Sequence, residues 1–131
     1  MTNIEAGAVA QSAMRAVEGG DREAWLGRFA DDATLEDPVG APGRHGTAAI
    51  AEFWDVGIAV LDAVQFDVRR VYEAHREAMV LADVSIRAPG GTGARYDAAV
   101  HYRLDDAGAI TSLRAFWDLP DVMEQLAAAQ R

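Results

Sequence analysis

VQFDVRRVYEAHREAMVLADVSIRAPGGTGARYDAAVHYRL, residues 64–104, carries a hydrophobic period of two. Val64, Phe66 and Val68 alternate with Gln65, Asp67 and Arg69, and Val80, Ala82, Val84 and Ile86 obey the same rule. Successive side chains of a strand point to opposite faces, so these alternations describe half-buried strands. Ala98, Val100, Tyr102 and Leu104 share one face of a further strand, and just beyond the quoted stretch Leu113, Ala115 and Trp117 share one face of another. The links at 88–93 and 105–108 have the Gly-rich and Asp-rich composition of hairpin turns, which predicts antiparallel pairing of long strands.

Upstream, the period becomes that of helices. Val9, Ala13 and Val17 recur at i, i+4 and i+8 within a helix predicted over 3–18, with Asn3 as its N-cap and Gly19-Gly20 as its stop. That stripe turns Ala13 toward the core. Asp21 suits the N-cap of a second helix that runs to about Phe29 and carries Trp25 and Leu26. Thr47 suits the cap of a third, from Ala48 to about Ala59, with Ile50, Phe53 and Trp54. Between them ATLED, residues 33–37, reads as a short strand ending at Asp37-Pro38. Leu119-Pro120 opens a short C-terminal helix, proline suiting the first helical position. Helices first and a meander after make an α+β domain with helices packed on one face of the sheet. A strongly curved antiparallel sheet would let three helices cover its concave side and enclose an apolar cavity, where function is expected to lie.

Composition narrows the classes. With 131 residues, half of them apolar and a quarter charged, the chain is expected to be one globular domain, residues 1–131. No apolar run approaches the ~18 residues of a membrane span, and the N-terminal stretch lacks the features of a secretory signal, so the cytoplasm is the expected compartment. A formal charge of −9 argues against nucleic acid and anionic membranes as partners. The chain has no cysteine, which removes thiolate chemistry and cysteine zinc sites. His45, His75 and His101 fall at no metal-ligand spacing, and no metal or organic cofactor is expected.

FADDATLEDPVGAPGRHGTAAIAEFW, residues 29–54, resembles bacterial Δ5-3-ketosteroid isomerases of the nuclear transport factor 2-like, or SnoaL-like, superfamily. ADDATLEDPVG and GTAAIAEFW carry most of the likeness, which extends more weakly from the first helix to ITSLRAFW. The resemblance implies a cone-shaped, cystatin-like roll and a homodimer formed through the outer face of the sheet. It also implies a cofactor-independent isomerase acting on a steroid or similarly flat polycyclic ketone. In that chemistry a carboxylate removes a proton α to a carbonyl and returns it elsewhere, while donors stabilise the dienolate oxygen.

By resemblance, Asp37 in LEDPVG is the general base, although Asp before Pro is also ordinary turn composition. Trp117 matches an aromatic position bordering the base, where its indole N–H can donate to Asp37. Phe53 and Trp54 match aromatic positions near the pocket mouth. With Ala13, Val17, Val100, Leu113 and Ala115 they make up the expected walls for a small hydrophobic molecule. Two departures stand out. Ala13 falls where the isomerases carry the tyrosine that donates to the dienolate oxygen, and Val100 falls where they carry a protonated aspartate. Tyr102, on the same predicted face as Val100, is the best replacement donor on strand parity. His101, Asp97 and Arg103 should face the opposite way, in a cross-strand charge network. Three functions stay open: the isomerase, a hydrophobic-ligand binder without catalysis, and a polyketide cyclase or dehydratase of the same superfamily.

Overall fold

The computed structural model describes residues 5–128. Helix α1 (Ala6–Glu18) and the short α2 (Arg22–Leu26) precede strand β1 (Phe29–Glu36) and the two-residue β2 (Arg44–His45). Helix α3 (Thr47–Phe53) runs into a π-helical turn (Trp54–Ile58). Strands β3 (Ala63–Ala74), β4 (Glu77–Arg87), β5 (Gly93–Leu104) and β6 (Ile110–Phe116) follow, and α4 (Leu119–Ala128) ends the described chain. The strands form one six-stranded sheet in the order β2-β1-β6-β5-β4-β3. Among the described residues, no helix is long and apolar enough to cross a membrane.

The predicted meander holds. β3, β4, β5 and β6 pair antiparallel in sequence order, and the residues of period two form one face: Val80 opposes Val100, Val100 opposes Ala115, and Tyr102 opposes Leu113. Two expectations about the sheet are corrected. β1 runs parallel to β6, with Leu35 beside Leu113, so the sheet is mixed, and it is not strongly curled. Hairpins fix the direction of each strand that follows one. β1 reaches its neighbour only through the rest of the chain, so no turn dictates its sense.

Helix boundaries shift for local reasons. α1 takes Glu5 as its N-cap residue without a side-chain cap, and the expected cap Asn3 lies outside the described residues. The carboxylate of Glu73 on β3 accepts from the N–H of Gly7 instead, satisfying one of the orphan donors at the helix start. The approach is close: a Cβ on Gly7 would stand 3.0 Å from Val71 Cγ1, so glycine lets α1 lie against β3. Near the other end, Glu18 accepts from the N–H of Phe66, 2.8 Å away, so two carboxylates tie α1 to the edge strand β3.

Asp21 caps α2 as expected, accepting from the N–H of Ala24 at 3.1 Å, but α2 ends at Leu26 and Phe29 already belongs to β1. Gly46, at φ 88, replaces Thr47 as the N-cap residue of α3. Proline is the second residue of α4, where its missing N–H costs nothing, and the cap is Asp118, which accepts from the N–H of Asp121 at 3.0 Å. α1 packs on β3, β4 and β5, α3 on β1, and α4 on β5. The core lies between helices and sheet, with Met14, Leu35, Ile50, Val80 and Ile110 almost wholly enclosed.

Candidate active site

A cavity of about 260 Å³ opens between the helices and the inner face of the sheet. That is close to the lower end, ~300 Å³, of ordinary small-molecule sites. Its walls follow from the periodicities. α1 contributes Ala13, Met14 and Val17; β5 and β6 contribute Val100, Leu113 and Ala115; Phe53 closes one side. Nearly every wall is apolar. Side chains with a polar atom are limited to Asp37, Tyr96, Tyr102 and the indoles of Trp25 and Trp117.

Asp37 follows directly on β1, and beyond it the N–H of Val39 donates to the carbonyl of Ala115 at 2.8 Å, anchoring the turn to β6. The carboxyl is half-buried and opens on the cavity. Trp117 donates its indole N–H to Asp37 Oδ1 at 2.6 Å. Burial pushes the Asp37 pKa up from 3.8 to about 6, and the Trp117 hydrogen bond holds it from rising further. Burial disfavours the charged form, while a donor to the carboxylate favours it. Asp37 is therefore a far stronger base than an exposed aspartate, yet still ionised at neutral pH. Replacing Trp117 by Phe is expected to move the Asp37 midpoint upward by about one pH unit, since a hydrogen bond to a charged group contributes ~1.5–3 kcal/mol. Carboxyl carbon NMR titration of the two proteins would show it, and an unmoved midpoint would exclude a role for this bond.

Tyr102 is buried at 3% exposure and lines the cavity. Among the described residues its hydroxyl has no hydrogen-bond partner, yet no polar atom is fully enclosed without one. The hydroxyl is thus accessible, and the cavity is what reaches it. Burial, with the charge of Asp37 second, raises its pKa above the ordinary tyrosine value, so it is a proton donor wherever Asp37 is ionised.

Tyr96 lines the same cavity and was missed by the sequence reading. It sits on β5 with the same parity as Ala98, Val100 and Tyr102, and extending that face by two residues would have found it. Its ring stacks on Trp117 with centroids 4.8 Å apart and planes at 29°. Its hydroxyl too lacks a partner among the described residues, and burial and then the Asp37 charge raise its pKa. Also unforeseen is the part played by α4, which brings Leu119, Val122 and Met123 to the cavity. α4 is fastened by Gln125, whose side-chain amide accepts from the N–H of Arg95 at 2.9 Å and donates to its carbonyl at 2.8 Å.

Of the expected walls, Trp54 alone is not brought to the cavity. It is 3% exposed and packs on Trp25, with centroids 5.3 Å apart, as part of the core beneath the site. Trp25 takes the place at the wall, with Phe29 edge-on at 4.7 Å. Ala13 and Val100 line the cavity and offer no donor. His101 stands on the outer face, 2.7 Å from Glu77, and Arg103 lies 3.8 Å from the same carboxylate. No group of acidic or histidine side chains suited to a metal ion occurs among the described residues.

A steroid Δ-isomerase of Nocardioides simplex is 34% identical over 111 residues, spanning 82% of this chain and 85% of that one. The crystal structure of a Δ5-3-ketosteroid isomerase from Mycobacterium sp. superposes with a TM-score of 0.82 at 32% identity, covering 91% of this chain and 97% of the other. A Mycobacterium tuberculosis protein crystallised with estradiol-17beta-hemisuccinate gives a TM-score of 0.82 at 28% identity, over 90% and 97% of the two chains. Residues 10–113 match the SnoaL-like domain. The chain therefore belongs to the SnoaL-like family and is related within it to the steroid Δ-isomerases.

Proposed function

We propose that the cavity binds a flat polycyclic β,γ-unsaturated ketone and that Asp37 moves a proton from the carbon α to the carbonyl to the γ carbon at the far end of the double bond. The carrying observation is the Asp37 carboxylate, held by the Trp117 indole at 2.6 Å and opening on a cavity whose walls are nearly all apolar. The carboxylate of Asp37 takes the α-proton, and the C–H electrons pass through the enol carbons onto the carbonyl oxygen. The dienolate then takes the same proton back at the far end of the conjugated system, and the electrons return to form the enone. Nothing is oxidised or reduced, and Asp37 is regenerated. Tyr102 supplies the hydrogen bond to the developing oxyanion, in a cavity where low polarity strengthens it. A relative named as a steroid Δ-isomerase and one crystallised with an estradiol derivative support the choice of ligand.

One observation favours a second reading. Two wall positions that would hold donors, Ala13 and Val100, are bare hydrocarbon, which fits a binder that does not transform its ligand. A 5-ene-3-ketosteroid separates the two. Growth of conjugated-enone absorbance supports the isomerase; saturable binding with no absorbance change supports the binder.

The assembly we propose is a homodimer through the outer face of the sheet. Register places Tyr72 beside Met79 and Ala99 between Leu81 and Phe116, an apolar strip on which Tyr72 is 50% and Phe116 41% exposed. Sedimentation at micromolar concentration should give twice the mass of one chain; the mass of a single chain would contradict it.

A further inference from the structure

Trp117 follows the last residue of β6, so the sheet does not fix its ring. The pairing of β6 with β5 ends where Phe116 stands beside Ala99, and residues 93–98 of β5 have no paired strand on that side. Two side chains occupy the gap. The amide of Gln125 on α4 answers the N–H and the carbonyl of Arg95 at 2.9 and 2.8 Å, as a neighbouring strand would. The ring of Tyr96, the next residue, lies against Trp117 with centroids 4.8 Å apart and planes at 29°. Among the described residues, Tyr96 is the aromatic ring on which Trp117 packs. Tyr96 is itself fixed, by its place beside Val84 on β4 and by the latched Arg95 before it.

Orientation matters because the indole has a single donor on one edge of a rigid ring. Turning that ring about its side-chain torsions carries the N–H away from Asp37 Oδ1, which it now meets at 2.6 Å, and the bond weakens steeply as its angle falls. We propose that Tyr96 is a positioning residue: its ring holds the Trp117 indole in the orientation that donates to Asp37, and so keeps the carboxylate poised to take a proton. The service to a base rests on the reading of the cavity as a ketone site; the coupling of the three side chains does not.

Removing the Tyr96 ring has two consequences of opposite sign. A Trp117 that no longer donates ceases to favour the carboxylate, which raises the Asp37 midpoint above its value of about 6. Water admitted to the space left behind would solvate the carboxylate and lower the midpoint toward 3.8. The direction of the shift therefore separates a lost orientation from a mere loss of packing. Tyr96 and Tyr102, the other titratable side chains lining the cavity, stay protonated throughout, since burial raises both.

The test is a carboxyl carbon NMR titration of Asp37 in wild type, Tyr96→Phe, Tyr96→Leu and Tyr96→Thr, and in Trp117→Phe alone and combined with Tyr96→Leu. Two truncations are made so that one folded variant suffices. Tyr96→Phe keeps the ring and should keep the wild-type midpoint. Each truncation should raise it by up to about one pH unit, the change expected when the bond is removed outright. Added to Trp117→Phe, Tyr96→Leu should give no further rise, because Tyr96 acts through the indole. A midpoint that stays or falls in the truncations, an equal rise in Tyr96→Phe, or a further rise in the double variant overturns the assignment. No substrate enters the titration, so a protein that shows these shifts but isomerises nothing would lose Asp37 as its base and keep Tyr96 as the residue that orients Trp117. In an active enzyme the midpoint of kcat/KM for a 5-ene-3-ketosteroid should rise in step with the NMR midpoint in the truncations.

Discussion

Asp37→Asn is expected to lower turnover of a 5-ene-3-ketosteroid by about 10²–10⁴-fold, the usual contribution of a positioned general base, while ligand affinity stays the same or improves. The amide keeps an oxygen for the Trp117 N–H, which lies 2.6 Å from Asp37 Oδ1, so the local geometry survives. What is lost is the negative charge, and with it the basicity needed to accept the proton. Affinity should not fall, because a neutral amide is cheaper to enclose with an apolar ligand than a carboxylate. The same substitution has a second signature. Wild type carries a carboxyl whose pKa rises from 3.8 to about 6 on folding, so the native state binds more protons than the unfolded chain between those values. Stability from this group is therefore intact below pH 4 and is lost as the pH rises toward 6. The loss amounts to at most about 3 kcal/mol at neutral pH. Asp37→Asn escapes that cost and should melt later than wild type at pH 8, with the advantage vanishing near pH 3.5. Undiminished turnover in Asp37→Asn would dismiss Asp37 as the base whatever its stability does.

Tyr102→Phe is expected to lower kcat by about 10²–10³-fold, the loss seen on removing one oxyanion-hole donor elsewhere. Donors are scarce in the cavity. Ala13 and Val100 contribute only hydrocarbon, and the indole N–H of Trp117 is already given to Asp37. Among the described residues that leaves the Tyr102 hydroxyl as the enclosed, unpartnered donor on the inner face of the meander, with the Trp25 indole on α2 the other buried donor. Because the bond strengthens as charge develops on oxygen, kcat should suffer more than KM. A variant that raised KM alone would make Tyr102 a wall and send the search for the donor to Trp25.

Strand faces were the most legible part of the molecule. Val80, Val100, Ala115 and Tyr102 could be assigned to one surface from alternation alone, because a buried face tolerates no slip in parity. Asp37 and Trp117 were legible for a different reason, the resemblance of LEDPVG and AFW to an isomerase pattern, and they meet at 2.6 Å. What stayed hidden depends on contacts distant in sequence. The parallel pairing of β1 with β6 has no turn to announce it. Phe53 and Trp54 are adjacent, and only the packing of α3 on β1 and the π-helical turn after it decide which of them looks into the cavity. The docking of α4 rests largely on Gln125, a polar residue whose side-chain amide completes the hydrogen bonds of Arg95. No periodicity signals such a latch. Tyr96 was within reach, since parity alone places it beside Ala98, but the predicted strand began two residues too late.

The pH dependence of kcat/KM for wild type with a 5-ene-3-ketosteroid, followed as conjugated-enone absorbance from pH 4 to pH 9, tests the central claim most directly. It links the buried carboxyl to the chemistry assigned to it. With ionised Asp37 proposed as the active form, the rate should be low at pH 4, rise with a midpoint near pH 6 and level off above it. No enone at any pH, or a rate that does not change between pH 4 and pH 8, would contradict the account.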